Sequence, residues 1–117
     1  MAAKSAEVAT VNEVRLVGRV SGAPETRTMP SGDDLVSFRL VVDRTEGAYR
    51  GKQRVDVLDC VVWDGRRQRT VGAWSTGDVV EVTGEVRRRF YRAPNGTGSR
   101  VEIEVRTARL IRRASSA

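Results

Sequence analysis

The sequence predicts an all-β domain: five strands wound as a Greek-key barrel, with one short helix between the third and fourth strands. Two observations carry this. Runs rich in valine, leucine and isoleucine alternate apolar with polar positions and are separated by turn residues. Between two of those runs, Asp64 stands as a helix N-cap and Gly77 as the residue just past a helix end, with Val71 and Trp74 three apart between them. At 117 residues, 39% hydrophobic and 31% charged, the chain has room for one domain with a modest core.

Residues 1–10, rich in alanine and small polar side chains, are expected to be a flexible lead-in, with Val8 and Val11 extending the first strand. Residues 11–20 form that strand. Val14, Leu16, Gly18 and Val20 share one face, and mid-strand Gly18 marks a bulge or barrel corner. Residues 21–34 read as a loop holding Pro24, Pro30 and a turn at Ser31-Gly32-Asp33. Residues 35–43 are the second strand, with Val36, Phe38, Leu40 and Val42 inward. Residues 44–54 are a polar loop longer than a hairpin needs, which is common where loops serve function.

Residues 55–63 are the third strand, with Leu58, Cys60 and Val62 inward and Val57, Asp59, Val61 and Trp63 outward. The helix is expected over 65–76, and Trp74 on its inner stripe plugs the barrel end. Residues 79–91 form the fourth strand, with Val80, Val82 and Val86 inward. A turn over 93–98 leads to the fifth strand, 100–111, where the apolar phase of Val101, Ile103 and Val105 switches to Ala108 and Leu110. A bulge near Thr107 accounts for the switch. Residues 112–117 read as a short polar tail, which leaves 11–111 as the barrel. Three strands, a helix and two strands is the order of the OB-fold, a small barrel that often binds oligonucleotides. An SH3-like barrel shares the strand count, and the helix position favours the OB-fold.

The formal net charge is +6, and of 21 basic residues only Lys4 and Lys52 are lysines. A basic chain prefers polyanions, and guanidinium both forks phosphate and stacks on rings. There is no histidine and one cysteine, so the commonest general base and the usual zinc sites are unavailable. The carboxylates Asp33, Asp34, Glu102 and Glu104 read as solvated turn and strand-face positions. No enzyme and no cofactor is expected. No apolar run reaches the length of a membrane span, and residues 1–10 lack a signal-peptide core, so no membrane association and a cytoplasmic, nucleoid-associated location are expected.

The fourth strand ends Arg87-Arg88-Arg89-Phe90-Tyr91, a basic run closing on aromatics, and Trp63 ends the third. Cations with flat rings on one exposed face suit a groove for single-stranded nucleic acid. The expected contacts on that face are Arg15, Arg19, Arg39, Val57, Trp63, Arg87, Arg89 and Tyr91, with Arg44, Tyr49, Arg50, Lys52 and Arg54 closing over from the long loop.

The chain resembles the bacterial single-stranded DNA-binding protein family. The likeness runs through Asn12-Glu13-Val14-Arg15-Leu16-Val17-Gly18-Arg19-Val20, Pro24-Glu25-Thr26-Arg27 with Pro30-Ser31-Gly32, and Val36-Ser37-Phe38-Arg39-Leu40. It continues in Cys60-Val61-Val62-Trp63, Gly77-Asp78-Val79-Val80-Glu81-Val82-Thr83-Gly84-Glu85-Val86 and Arg89-Phe90-Tyr91. The resemblance implies an OB-fold that binds and protects single-stranded DNA in replication, recombination or repair, assembled as a homo-oligomer, most often a tetramer. It implies base stacking at Trp63 and Tyr91. A further family aromatic falls at Val57, where this chain has none, and Tyr49 is the candidate for another. The acidic, hydrophobic tip with which family members recruit other proteins has no counterpart in Arg113-Ala114-Ser115-Ser116-Ala117. Two other readings stand beside this one: an OB-fold for single-stranded RNA, and an interaction module with weakened nucleic-acid binding.

Overall fold

The computed structural model describes residues 7–115. Its strands are β1 (Val14–Thr28), β2 (Asp34–Asp43), β3 (Val55–Val62), β4 (Val79–Ala93) and β5 (Gly96–Arg112), with a 3-10 turn (Glu46–Ala48) between β2 and β3 and an α-helix, α1 (Gly65–Gly72), between β3 and β4. They close into a barrel in the order β1-β2-β3-β5-β4. All neighbours are antiparallel except β3 and β5, which run parallel and meet at Cys60 opposite Ile103 and Val61 opposite Glu104. The chain between them supplies α1 and β4, as a parallel crossover requires. This is the OB-fold anticipated above.

The core follows from the alternation. Phe38, Leu40, Cys60, Val62, Val80, Val82, Ile103 and Val105 are all buried on the barrel's inner face. Cys60 is a free thiol there, and burial, helped by the charge of Asp59, pushes its pKa up to about 12. Asp64 caps α1 by accepting from the backbone N–H groups of Arg67 (3.3 Å) and Arg66 (2.8 Å), which hold its carboxyl below its ordinary value. The helix is shorter than expected. It stops at Gly72 with Ala73 as C-cap, so Gly77, at φ +90°, shapes a later turn instead. Trp74 lies just past the helix and still plugs the barrel, 4% exposed.

Several expectations are corrected. The first strand begins at Val14, and Val8 and Val11 are exposed and extend no strand. The expected loop over 21–34 is mostly strand: β1 runs on to Thr28 and pairs Glu25–Thr28 residues with those of β2. The irregularity lies between Ser21 and Glu25, where Gly22 takes φ +80° and Pro24 has no N–H to offer a ladder. Gly18 carries no register shift against β4, and it packs so closely on the Val41 carbonyl that no Cβ fits.

Val86 and Val101, expected inward, are 39% and 47% exposed. The β4–β5 ribbon outruns the barrel here, and the inner face of a strand has no core beyond the barrel mouth. The ribbon turns at Pro94-Asn95, with Ala93 paired to Gly96. The phase switch in β5 is the expected bulge: Thr83 faces Thr107 and Gly84 faces Val105, which leaves Arg106 over. The presumed tail starts inside the fold. Arg112 ends β5, and Arg113 and Ala114 are tied to buried Asp78. Asp78 accepts from Ser75 N (2.9 Å), Ala114 N (2.8 Å) and Arg113 (3.0 Å). Those bonds, Ser75 first, hold its carboxyl below the ordinary value.

Candidate nucleic-acid interface

Because β1 and β4 both outrun the barrel, two hairpins project from it, β1–β2 and β4–β5. A groove of about 750 Å³ lies between them, floored by the outward positions of β2 and β3. On the floor Arg39 stands opposite Asp59 and Ser37 opposite Val61. Arg39 Nε donates to Asp59 Oδ1 over 3.3 Å. Val61, expected outward and exposed, is 4% exposed beneath the hairpins.

The β4–β5 wall carries the aromatics. Tyr91 pairs in register with Gly98, and a Cβ on Gly98 would lie 2.6 Å from the Tyr91 ring. The bare glycine thus lets the ring lie down across β5 while it stays 44% exposed. The Arg100 guanidinium sits over that ring, 5.6 Å from its centroid. One step along, the Arg89 guanidinium sits 5.8 Å from the Trp63 centroid, and Trp63 is 41% exposed. Both distances are within cation–π range. Arg39, Arg89 and Tyr91 line the groove, and Trp63, outside its lining, is joined to it through Arg89.

Other expected contacts stand elsewhere. Arg44 is a strut: it grips Asp56 with two hydrogen bonds, of 3.0 and 2.8 Å, which raise its pKa and lower that of Asp56. Its backbone N–H donates to the Arg54 carbonyl and closes the loop base. The long loop folds on itself, with Arg54 stacked 4.1 Å from the Tyr49 centroid and Arg50 donating to the Tyr49 carbonyl. Neither these residues nor exposed Lys52 line the groove, because short-range bonds draw the loop inward.

Arg15 faces Thr83 and pairs with Glu81 at 2.5 Å, on the β1–β4 side of the barrel and outside the groove. Arg19 faces Val41 and holds Asp43 through two bonds, and Val57, 55% exposed, continues that face. Arg87 is engaged by Glu85 (2.8 Å) and Glu104 (2.9 Å).

Four charged groove residues, among others, were not singled out in the sequence. Arg27, Arg92 and Arg100 line the groove and make no ion pair among the described residues. Arg27 falls in residues 21–34, which read as a loop, and Arg92 lies just past the expected end of the fourth strand; Arg100 opens the expected fifth strand, and continuing the alternation past Tyr91 would have placed it beside Arg89. The fourth is Glu102. Expected to be solvated, it is 6% exposed on the groove floor and lies 3.6 Å from Arg89.

The profile of the single-strand binding protein family matches residues 11–111. The chain belongs to that family. Single-stranded DNA-binding proteins from Staphylococcus aureus and Bacillus subtilis are 36% and 33% identical to it over 93 residues, covering 80% of this chain. That of Halalkalibacterium halodurans is 33% identical over the same length. The chain spans about half the length of these relatives, 53–54%. Among solved structures, one described as the Plasmodium falciparum SSB complex with ssDNA superposes with a TM-score of 0.74. It covers 90% of this chain and 98% of its own, at 20% identity, a likeness of fold. The family match takes in the whole barrel and both hairpins of this single-strand binding protein family member, and so every residue that lines the groove.

Proposed function

We propose that this protein binds single-stranded DNA in the groove between its two hairpins, with little base specificity and without catalysis. The observation that carries the reading is the pairing of two half-exposed rings, Trp63 and Tyr91, with a groove that also presents Arg27, Arg92 and Arg100, cations without an ion pair among the described residues. Rings stack on any unpaired base, and guanidinium contacts phosphate without reading sequence. Family membership and the names of its relatives support DNA as the ligand and protection of exposed strands in replication, recombination or repair as the setting. A cytoplasmic, nucleoid-associated location fits that setting, and no helix among the described residues is long and apolar enough to cross a membrane.

The protein acts as a homo-oligomer, a tetramer built from dimers. On β1, Val14–Gly18 residues pair with β4 on one edge and with no strand of the described residues on the other. An open edge is a template for a second copy. Val8, Val11 and Val17 lie on or beside it and are 84%, 77% and 43% exposed. Joining grooves raises avidity without new contacts in any one. Light scattering without DNA at high salt checks the assembly: a particle near the 12.9 kDa chain mass excludes it. Gel mobility of single-stranded DNA, duplex DNA and single-stranded RNA of one sequence, at two salt concentrations, tests the ligand. Retention of single strands alone supports the proposal, equal retention of duplex rejects it, and preference for RNA would move the ligand to RNA.

A further inference from the structure

A carboxylate buried on the floor of a groove for a polyanion runs against the groove's charge. Glu102 is such a group: its side chain is 7% exposed, and Arg89 lies 3.6 Å away, an ion pair rather than a hydrogen bond. The cross-strand register gives it a task. Arg89 and Arg100 face each other on β4 and β5, and like charges directly opposite repel. The two guanidiniums part in opposite directions, Arg100 onto Tyr91 and Arg89 onto Trp63. Arg89 is 30% exposed at the side chain, and Glu102 neutralises it; Arg100 has no carboxylate partner among the described residues.

We propose that Glu102 is a positioning residue that holds Arg89 against the Trp63 ring and so withdraws it from phosphate binding. The inference rests on the single-stranded DNA reading above and deepens it. Arg89 and Trp63 form one composite surface, neutral in sum with Glu102, against which a base packs. Arg92 and Arg100, free of carboxylates, meet the phosphates. The two kinds of arginine differ in a measurable way. A guanidinium that neutralises a phosphate releases a counterion and adds to the salt dependence of binding, whereas one already neutralised by a carboxylate adds little.

The test is a titration with a single-stranded oligonucleotide across a salt series, read as the slope of log affinity against log salt. Glu102→Gln frees Arg89 for a phosphate, so the slope steepens by about 0.7. Trp63 becomes more open to acrylamide quenching, while buried Trp74 does not. Arg89→Gln, which keeps Glu102 in place, weakens binding with its slope unchanged, whereas Arg100→Gln flattens the slope by about 0.7. An unchanged slope and unchanged quenching in Glu102→Gln would overturn the proposal. Should that variant fail to fold, a flattened slope in Arg89→Gln overturns it equally, because Arg89 would then be an ordinary phosphate contact. Failure of the unaltered protein to bind the oligonucleotide rejects the DNA reading itself, an outcome distinct from either.

Discussion

The Trp74 ring stands edge-on against Phe38, with centroids 5.4 Å apart and planes at 88°. This T-shaped contact joins the segment after α1 to the inner face of β2, and both rings are buried. Trp63, the other tryptophan, is half-exposed and has a guanidinium over it. The two indoles thus have opposite duties, one in the core and one at the groove.

Replacing Trp74 by alanine removes the plug and leaves a cavity against Phe38. The expected cost is about 3–5 kcal/mol of stability. The thermal midpoint drops, while the protein that remains folded keeps its affinity for single-stranded DNA.

Trp63→Ala has the converse outcome. Trp63 is 41% exposed and is not part of the barrel's interior cluster, so the melt is expected to stay where it was. Binding weakens by about 1–3 kcal/mol, the worth of one stacked base. A well-folded Trp63→Ala protein with undiminished affinity would count against the site.

Asp78 links the turn after α1 to the end of β5, and its carboxyl is held below its ordinary value by Ser75, Ala114 and Arg113. A carboxyl depressed in the folded state stabilises fully above the unfolded value of about 4. That contribution fades as pH falls through the lower folded value. Melting midpoints of the protein and of Asp78→Asn are therefore expected to differ most above about pH 4 and to converge in acid. A gap that does not change with pH would mean that the charge is immaterial and only neutral hydrogen bonds matter.

Gly84 sits at the β4–β5 bulge against the Glu104 carbonyl, with no room for a Cβ. The neighbour is backbone and cannot swing aside. Gly84→Ala is expected to destabilise by about 1–3 kcal/mol, as overpacking does. Gly47, in the 3-10 turn of the long loop, has nothing within reach of an added Cβ. Gly47→Ala provides the control, with an unshifted denaturant midpoint.

The barrel was legible because burial imposes a period of two wherever a strand has the core on one side. Phe38, Leu40, Val80 and Val82 obey it, and the phase slip around Arg106 exposed the bulge. The period fails where strands outrun the core. Val86 and Val101 continue the inner phase into solvent, and residues 21–28, with Gly22 and Pro24 among them, look like a loop although Ser21 and residues 25–28 pair with β2. The groove is made by those overrunning strands. Trp63, Arg89 and Tyr91 could be found from their residue types, Arg100 only by carrying the alternation past Tyr91, and Arg27 and Arg92 not without the hairpins. Arg15 and Arg44 were overread for another reason: a charge count does not show which cations already hold a carboxylate, as these hold Glu81 and Asp56.

The central claim is that the groove accepts unpaired strands by stacking. Tryptophan fluorescence tests it most directly, by titrating the protein with one oligonucleotide single-stranded and with the same oligonucleotide as a duplex. The expected result is saturable quenching of Trp63 by the single strand alone, with log affinity falling against log salt by about 0.7 for each phosphate neutralised. Equal affinity for the duplex, or binding that leaves the Trp63 emission untouched, would contradict the account.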